Sequence, residues 1–360
     1  MSRFERDNIR RMDGYSWGEQ PTDGRTIKLN TNENPWPPSP AVARALATFD
    51  VARLRRYPPP HADGFRRIAA ELAGVGIDSI IATNGGDEFL RLLLTTFLEP
   101  RVPLATTRPS YSLYPVLAAI QDSPTLEVPL GDDFALPADL AARANAAGAG
   151  LTCVVNPHAP SGRLFPVDEL ARLATDLDGL LLIDEAYVDF VDPELGHDAT
   201  VLVREHDNVL ILRSMSKGYA LAGLRFGYGI GAPELIEPLL TKTRDSYNVD
   251  LIAQELATAA IGDRAWATDN WQRVRTERER LRAALTDLGF ECPPSQANFL
   301  FARVPAGAEA TTLQARLRDA GVLVRHFRGA GLDDRLRITV GTPAEDDLLL
   351  ATLASALGRS

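Results

Sequence analysis

The chain has almost no cysteine. Cys153 and Cys292 are the only two, far apart and in no C-x-x-C pair. A disulfide framework is therefore excluded, and two buried thiols in a reducing compartment are the expectation. Histidine is also scarce. His61, His158, His197, His206 and His326 form no H-x-x-x-H or H-E-x-x-H pattern, so no metal site is expected. No apolar run is long enough to span a bilayer. Residues 1–11 are charged and lack an apolar centre, so no secretory leader is expected. Internal repeats and low-complexity linkers are missing too. Nor is there an excess of positive charge. The formal net charge of −10 argues against non-specific nucleic-acid binding. An anionic substrate would have to be captured by local arginines. What remains is ordinary globular composition, 45% hydrophobic and 24% charged. The 360 residues suffice for one large domain or two of usual size, and the default location is the cytoplasm.

Short apolar runs alternate with amphipathic segments through the middle of the chain. Strands are expected at Ser79–Ala82, Leu151–Val155, Leu180–Ile183, Val209–Leu212 and Arg225–Ile230, with helices at Asp87–Leu98 and Val167–Asp176. Runs such as CVV, LLLI and VLIL lack polar alternation, as strands buried on both faces of a largely parallel sheet do. The pattern is α/β. Trp271, Val274, Leu281, Leu285 and Leu288 recur at helical spacing within Ala265–Leu288, predicting a long helix that leads to a second module. That module reads as strands Phe299–Val304, Val322–His326 and Leu336–Val340, a helix at Thr311–Ala320 and a final helix. Thr342, Pro343 and Glu345 supply a cap, a preformed first turn and a capping box for the last one. The segment up to about Pro40 is rich in Asn and Pro and reads as an irregular arm.

Chemistry gathers just past the predicted strand ends, where open α/β sheets bind ligands. Arg213-Ser214-Met215-Ser216-Lys217, with Arg225 eight residues on, places an amine beside hydroxyls and a guanidinium. That layout suits a lysine imine to a phosphorylated aldehyde cofactor, although a lone lysine there is more often simply solvated. Thr83–Glu88 offers glycines and a helix N-terminus for a phosphate, or else a tight turn capped by Asp87. Asp184 ends an apolar strand, where a carboxylate is costly unless paired. A protonated pyridine nitrogen would be one partner, a structural cation or a cap the alternative. Glu185 should face elsewhere on so short a turn. Asn156 and Tyr187 are candidate donors to a phenolate oxygen, and Tyr111 a candidate ring-stacking residue. Each also has a bland reading, as an Asn-Pro turn or a core tyrosine. Arg325 and Arg337 bring two guanidinium forks that suit a dianionic phosphate, or form surface ion pairs.

The ordered set LNTNENPWPPSP (29–40), RRYPPP (55–60), TNGGDE (83–88), RPSYSLY (108–114), NPHAPSG (156–162), IDEAYVDF (183–190), RSMSKGYALAGLRFGY (213–228), YNV (247–249), PSQANF (294–299), GVLVR (321–325) and LRITVGT (336–342) spans nearly the whole chain. It resembles the fold-type I pyridoxal-phosphate aminotransferases, and within them the histidinol-phosphate aminotransferase family. The resemblance implies a mainly parallel sheet sandwiched by helices, with a smaller α/β C-terminal domain and an N-terminal arm. The implied division is 1–45 for the arm and part of the small domain, 46–264 for the large cofactor domain and 265–360 for the small domain. It implies pyridoxal 5'-phosphate bound as an imine to Lys217, which then shuttles the substrate proton. Asp184 would pair with the pyridine nitrogen. Asn156 and Tyr187 would hold the phenolate oxygen, and Tyr111 would stack on the ring. Gly86, Asp87, Ser214, Ser216 and Arg225 would bind the phosphate. Tyr57 would reach it from a neighbouring subunit, implying a homodimer with shared active sites. Tyr15, Asn32, Arg325 and Arg337 would line the substrate pocket. The implied reaction exchanges L-histidinol phosphate and 2-oxoglutarate for imidazole-acetol phosphate and L-glutamate, in histidine biosynthesis.

Departures from the usual pattern bear on specificity. NPHAPSG replaces N-P-N-N-P-T-G, YPPP lacks the aspartate that usually follows Tyr-Pro, SYNV replaces Pro-Tyr-Asn, and Gly218-Tyr219 replaces Ala-Phe. Aromatic amino-acid transamination and threonine-phosphate decarboxylation are alternatives on the same fold. A non-catalytic α/β ligand-binding protein is the alternative from another class. The Gly227–Gly231 run lacks the G-x-G-x-x-G register, so a nucleotide loop there is weakly supported.

Overall fold

Apolar runs without alternation become strands covered on both faces. The computed structural model describes residues 2–131, 133–329 and 331–359. Its strands are β1 (Ile27–Leu29), β2 (Ile80–Thr83), β3 (Leu104–Arg108), β4 (Thr125–Pro129), β5 (Leu151–Val155), β6 (Leu180–Asp184), β7 (Val209–Ser214), β8 (Gly227–Gly231), β9 (Phe299–Arg303), β10 (Val322–His326) and β11 (Arg335–Thr339). Seven form one sheet in the order β2-β8-β7-β6-β5-β3-β4. β8 runs antiparallel to β2 and β7, and the other pairings are parallel. Alternate residues feed two separate cores. Val154, Ile183 and Ile211 face one, while Cys153, Leu182 and Leu210 face the other. Cys153 and Cys292 are both buried free thiols.

Parallel register brings the carboxyl ends of β5, β6 and β7 side by side. Val155 is level with Asp184, and Asp184 with Leu212. Asn156 and Glu185 continue the ladder by one residue each, through Asn156 N–H to Asp184 O and Glu185 N–H to Leu212 O. One edge of the sheet therefore presents Asn156, Asp184 and Ser214 as neighbours.

The second sheet has the order β1-β10-β11-β9, with β1 parallel to β10 and the rest antiparallel. Its core holds Leu300, Leu336 and Ile338 together with Leu313 and Leu317 of helix Ala310–Asp319 and Leu349 and Leu353 of helix Pro343–Ala356. The long helix Arg264–Asp287 joins the core around Val154, Ile183 and Ile211 to the core of the second sheet. Trp271 and Val274 pack into the first, Leu281 and Leu285 into the second. The expected capping box is formed, with Thr342 and Glu345 bonded reciprocally.

Several expectations are corrected. The N-terminal segment is not wholly irregular, because Asp7–Arg11 is helical and Ile27–Leu29 pairs with β10. β3 and β4 add two strands that carry no continuous apolar run, since LATTR and TLEVP mix polar residues into short strands. The predicted strand at Arg225 begins two residues later, because Arg225 itself has φ 57° and cannot continue an extended ladder.

Candidate active site

Lys217 lies on the turn that follows β7. Met215 N–H bonds to Phe226 O and Leu221 N–H to Met215 O, which fixes that turn against β8. The Lys217 Nζ donates to Thr31 O at 3.0 Å. Burial lowers the amine to a pKa of about 8. Glu33 opposes the shift, while Arg337, Lys28 and Arg225 add to it. At that value about a tenth of the amine is free base at pH 7, far more than for an ordinary lysine.

Asp184 is 4% exposed. Its Oδ2 accepts from Tyr114 OH at 2.7 Å and its Oδ1 from Ala186 N–H at 3.1 Å. Both donors are neutral. Burial pushes the carboxyl up to about 6, against the pull of those two hydrogen bonds, and Asp87 and Glu185 push it further. A buried carboxyl with no cation bonded to it is set to receive one. Tyr114 was not singled out from sequence, although it lies in the RPSYSLY stretch three residues after Tyr111.

Glu185 does face elsewhere. Its Oε2 accepts from Arg213 Nε and Nη2 at 2.9 and 2.8 Å, and its Oε1 lies 3.2 Å from His197 Nε2. Arg213 is thereby tied to the end of β6, which braces the two strand ends that carry Asp184 and Ser214. Nothing in the spacing pointed to this clamp.

Tyr187 is partly buried, and its hydroxyl accepts from Asn32 Nδ2 at 2.9 Å. Asn32 is held in a left-handed conformation, φ 58°, by two bonds with Thr339 of β11 and one from Asn298 Nδ2. The N-terminal segment thus carries a contact from the second sheet to the first. Asn156 is buried, and its side chain exchanges two hydrogen bonds with the Phe165 backbone. One Nδ2 hydrogen is left over, and no bond links Asn156 to Tyr187.

Helix Gly86–Phe97 starts beside this group with no side-chain cap. Its first-turn N–H groups point out of the helix end, and a helix of twelve residues favours an anion there. Close packing shapes the cradle. A Cβ on Gly85 would sit 2.7 Å from Arg225 Nη2, and one on Gly227 would sit 2.7 Å from Gly86 N. Arg225 Nη2 reaches Asp87 Oδ2 at 3.4 Å, and Tyr111 OH donates to Asp87 Oδ1 at 3.2 Å. Ser214 Oγ accepts from Ser216 N–H at 3.1 Å. Tyr15 packs edge-on to Tyr111 with ring centroids 6.0 Å apart.

Antiparallel pairing of β10 with β11 sets Arg325 directly opposite Arg337, so both side chains share one face. Arg337 lies between the Phe299 and Phe327 rings, donates from Nη2 to Asn30 O, and has a buried Nε with no partner. Arg325 stands over Phe327. Arg337 acts electrostatically on Lys217, and Tyr187, Arg325 and Tyr15 act on Arg337. Tyr57 is elsewhere: it is 80% exposed and stacked on Tyr247 at 4.4 Å.

A partly buried amine of lowered pKa, a cation-seeking carboxyl, an uncapped helix end and paired arginines together define an aminotransferase-type site. The sequence model "Aminotransferase class I and II" matches residues 25–353, and the chain belongs to that family. It is 43% identical to histidinol-phosphate aminotransferase 1 of Nostoc sp., over 99% of each chain. It is 41% identical to the enzyme of that name from Bordetella parapertussis, over 98% of each. The structure superimposes with a TM-score of 0.89 on histidinol-phosphate aminotransferase from Sinorhizobium meliloti in complex with pyridoxal 5'-phosphate. That match has 26% identity and covers 99% of this chain and 98% of the other. Within the class, the chain is a member of the histidinol-phosphate aminotransferase family.

The site fits the cofactor that the family uses. Lys217 can take the aldehyde, Asp184 the ring nitrogen, and the Gly86 helix end with Arg225 and the serines the phosphate. Among the described residues, no helix is long and apolar enough to cross a membrane.

Proposed function

We propose that this protein transfers the amino group of L-histidinol phosphate to 2-oxoglutarate, giving imidazole-acetol phosphate and L-glutamate, and that it does so in the cytoplasm as a homodimer. The observation that carries the reading is an amine, Lys217, lowered to about 8 just past the end of β7, and a carboxyl, Asp184, raised to about 6 at the end of the neighbouring β6, with Arg337, which stands opposite Arg325, acting electrostatically on that amine. When bound, pyridoxal phosphate supplies an aldehyde for covalent attachment and a ring that accepts the electron pair left at the substrate's Cα.

The chain's own groups do the rest. The Lys217 amine, once free, would take the proton from Cα and return it two bonds away, to the carbon beyond the amino nitrogen, and the cycle would reverse with the second substrate. The Asp184 carboxylate would pair with the ring nitrogen and favour its protonated form, and Tyr114 OH and Ala186 N–H hold that carboxylate in place. Asn32 holds the Tyr187 hydroxyl, which would donate to the ring oxygen together with the spare Nδ2 hydrogen of Asn156. Tyr111 would stack on the ring, and Tyr15, packed edge-on to Tyr111, would cover the substrate. Gly86, Asp87, Ser214, Ser216 and Arg225 fix the cofactor phosphate. Arg325 and Arg337 receive the anionic end of either substrate.

The exposed Tyr57–Tyr247 stack supports a partner-facing role for Tyr57, which would contact the neighbouring subunit's phosphate. The two cores bridged by one long helix support the division into 1–45, 46–264 and 265–360. The test is the product of reaction with L-histidinol phosphate and 2-oxoglutarate. Glutamate formed in step with imidazole-acetol phosphate supports the reading. Carbon dioxide from phosphothreonine, or glutamate only from aromatic amino acids, would move the substrate to the alternatives.

A further inference from the structure

A third arginine stands on the face that carries Arg325 and Arg337. Arg335 lies two residues before Arg337 on β11, so both side chains leave the same side of the strand. It falls just outside the LRITVGT stretch. Arg335 is 4% exposed. Its Nε and Nη1 are buried without hydrogen-bond partners. The nearest carboxylate oxygen, Asp334 Oδ1, is 3.8 Å from Nε, beyond hydrogen-bond reach. Arg303, its cross-strand neighbour, has Glu291 at 2.6 Å and Asp334 at 2.9 Å. The Arg335 guanidinium sits instead 5.5 Å from the Phe134 and Phe301 ring centroids. A buried cation with two free N–H groups calls for an anion.

Position along the strand says which anion. Thr339, at the far end of β11, bonds Asn32, which bonds Tyr187 beside the cofactor site. Going from Thr339 through Arg337 to Arg335 therefore leads away from the reacting carbon. In the amino-acid substrate, the anionic carbon is attached directly to Cα. In a phosphorylated amino alcohol, the phosphorus lies two bonds further out. The longer group reaches further along the same row of arginines.

We infer that Arg335 is a specificity residue: together with Arg337 it brackets the phosphate of the phosphorylated substrate and does not engage the shorter carboxylate of glutamate. The inference rests on the function proposed above. It gives one pocket a way to hold two unlike anions, with Arg337 common to both and Arg335 reached only by phosphate.

The test uses the two half-reactions of the holoenzyme, each followed by the change in the cofactor's visible band. Half-saturation is measured for L-histidinol phosphate and for L-glutamate in wild type, Arg335→Gln and Arg335→Lys. Loss of one charge-assisted contact predicts a roughly tenfold or greater rise for histidinol phosphate in Arg335→Gln. Glutamate should stay within about twofold, and Arg335→Lys should fall between. The ratio of the two values cancels general damage to the fold. An unchanged ratio in either variant, or a rise confined to glutamate, overturns the inference. A wild type that does not respond to histidinol phosphate would instead overturn the proposed function.

Discussion

Asp184→Asn should make the cofactor-free protein more stable while disabling the enzyme. The carboxyl is buried, receives only neutral donors, and is raised to about 6 from the ordinary 3.8. At 1.36 kcal/mol per pH unit, holding it ionised at neutral pH costs about 3 kcal/mol. Asparagine has the same shape and no charge. Its Oδ1 can accept from Ala186 N–H, and its Nδ2 can donate to Tyr114 Oη. The sign follows from proton uptake. Between pH 3.8 and about 6 the folded wild type binds more protons than the unfolded chain, so its stability falls as pH rises through that window. The variant has no such slope. Urea unfolding of the cofactor-free proteins should therefore show little difference near pH 4 and an advantage for Asp184→Asn of up to about 3 kcal/mol above pH 6. With cofactor bound, the ionised wild-type carboxylate has its cation and the advantage should vanish. Turnover should fall at least 10-fold, from loss of a charge-assisted bond of about 1.5–3 kcal/mol. A variant with no pH-dependent advantage, or with full activity, would refute the reasoning.

Two further outcomes are expected. Arg337→Gln should raise KM for both substrates, because both anionic ends meet this guanidinium; steady-state kinetics showing an unchanged KM for either would remove it from the shared pocket. Asp346 is buried beside Glu277, which together with desolvation raises its carboxyl well above the usual range. A raised carboxyl loses stability as pH climbs from its ordinary 3.8 to the raised value of about 8, so Asp346→Asn should unfold at higher urea than wild type at pH 9 and at similar urea near pH 4; equal midpoints at both pH values would contradict this.

How much of this was legible in the chain depended on range. Asp184 could be read locally, because an apolar run ending in a carboxylate is anomalous by itself. Lys217 could be read from its hydroxyl neighbours. The capping box at Thr342–Glu345 is a four-residue signal and formed as expected. The opposition of Arg325 and Arg337 could not be read, since it depends on which residues of β10 and β11 pair. The same holds for Asn32, whose left-handed backbone is set by Thr339 and Asn298 some 270 to 310 residues away in sequence. Tyr114 and the Glu185–Arg213–His197 clamp were silent because a tyrosine on a helix and an ion pair between strand ends carry no local pattern. β1 was hidden for a related reason: three residues become a strand only because β10 offers an edge.

The central claim is that Lys217 is the residue that carries the cofactor. The chain has three lysines, Lys28, Lys217 and Lys242, which makes the claim easy to test. Lys28 is held by Glu33 at 2.5 Å, and Lys242 lies in the helical turn Leu239–Thr243. Borohydride reduction of the holoprotein, followed by peptide mass mapping, should place the cofactor on Lys217 alone. Label on Lys28 or Lys242, or on no lysine, would contradict the account.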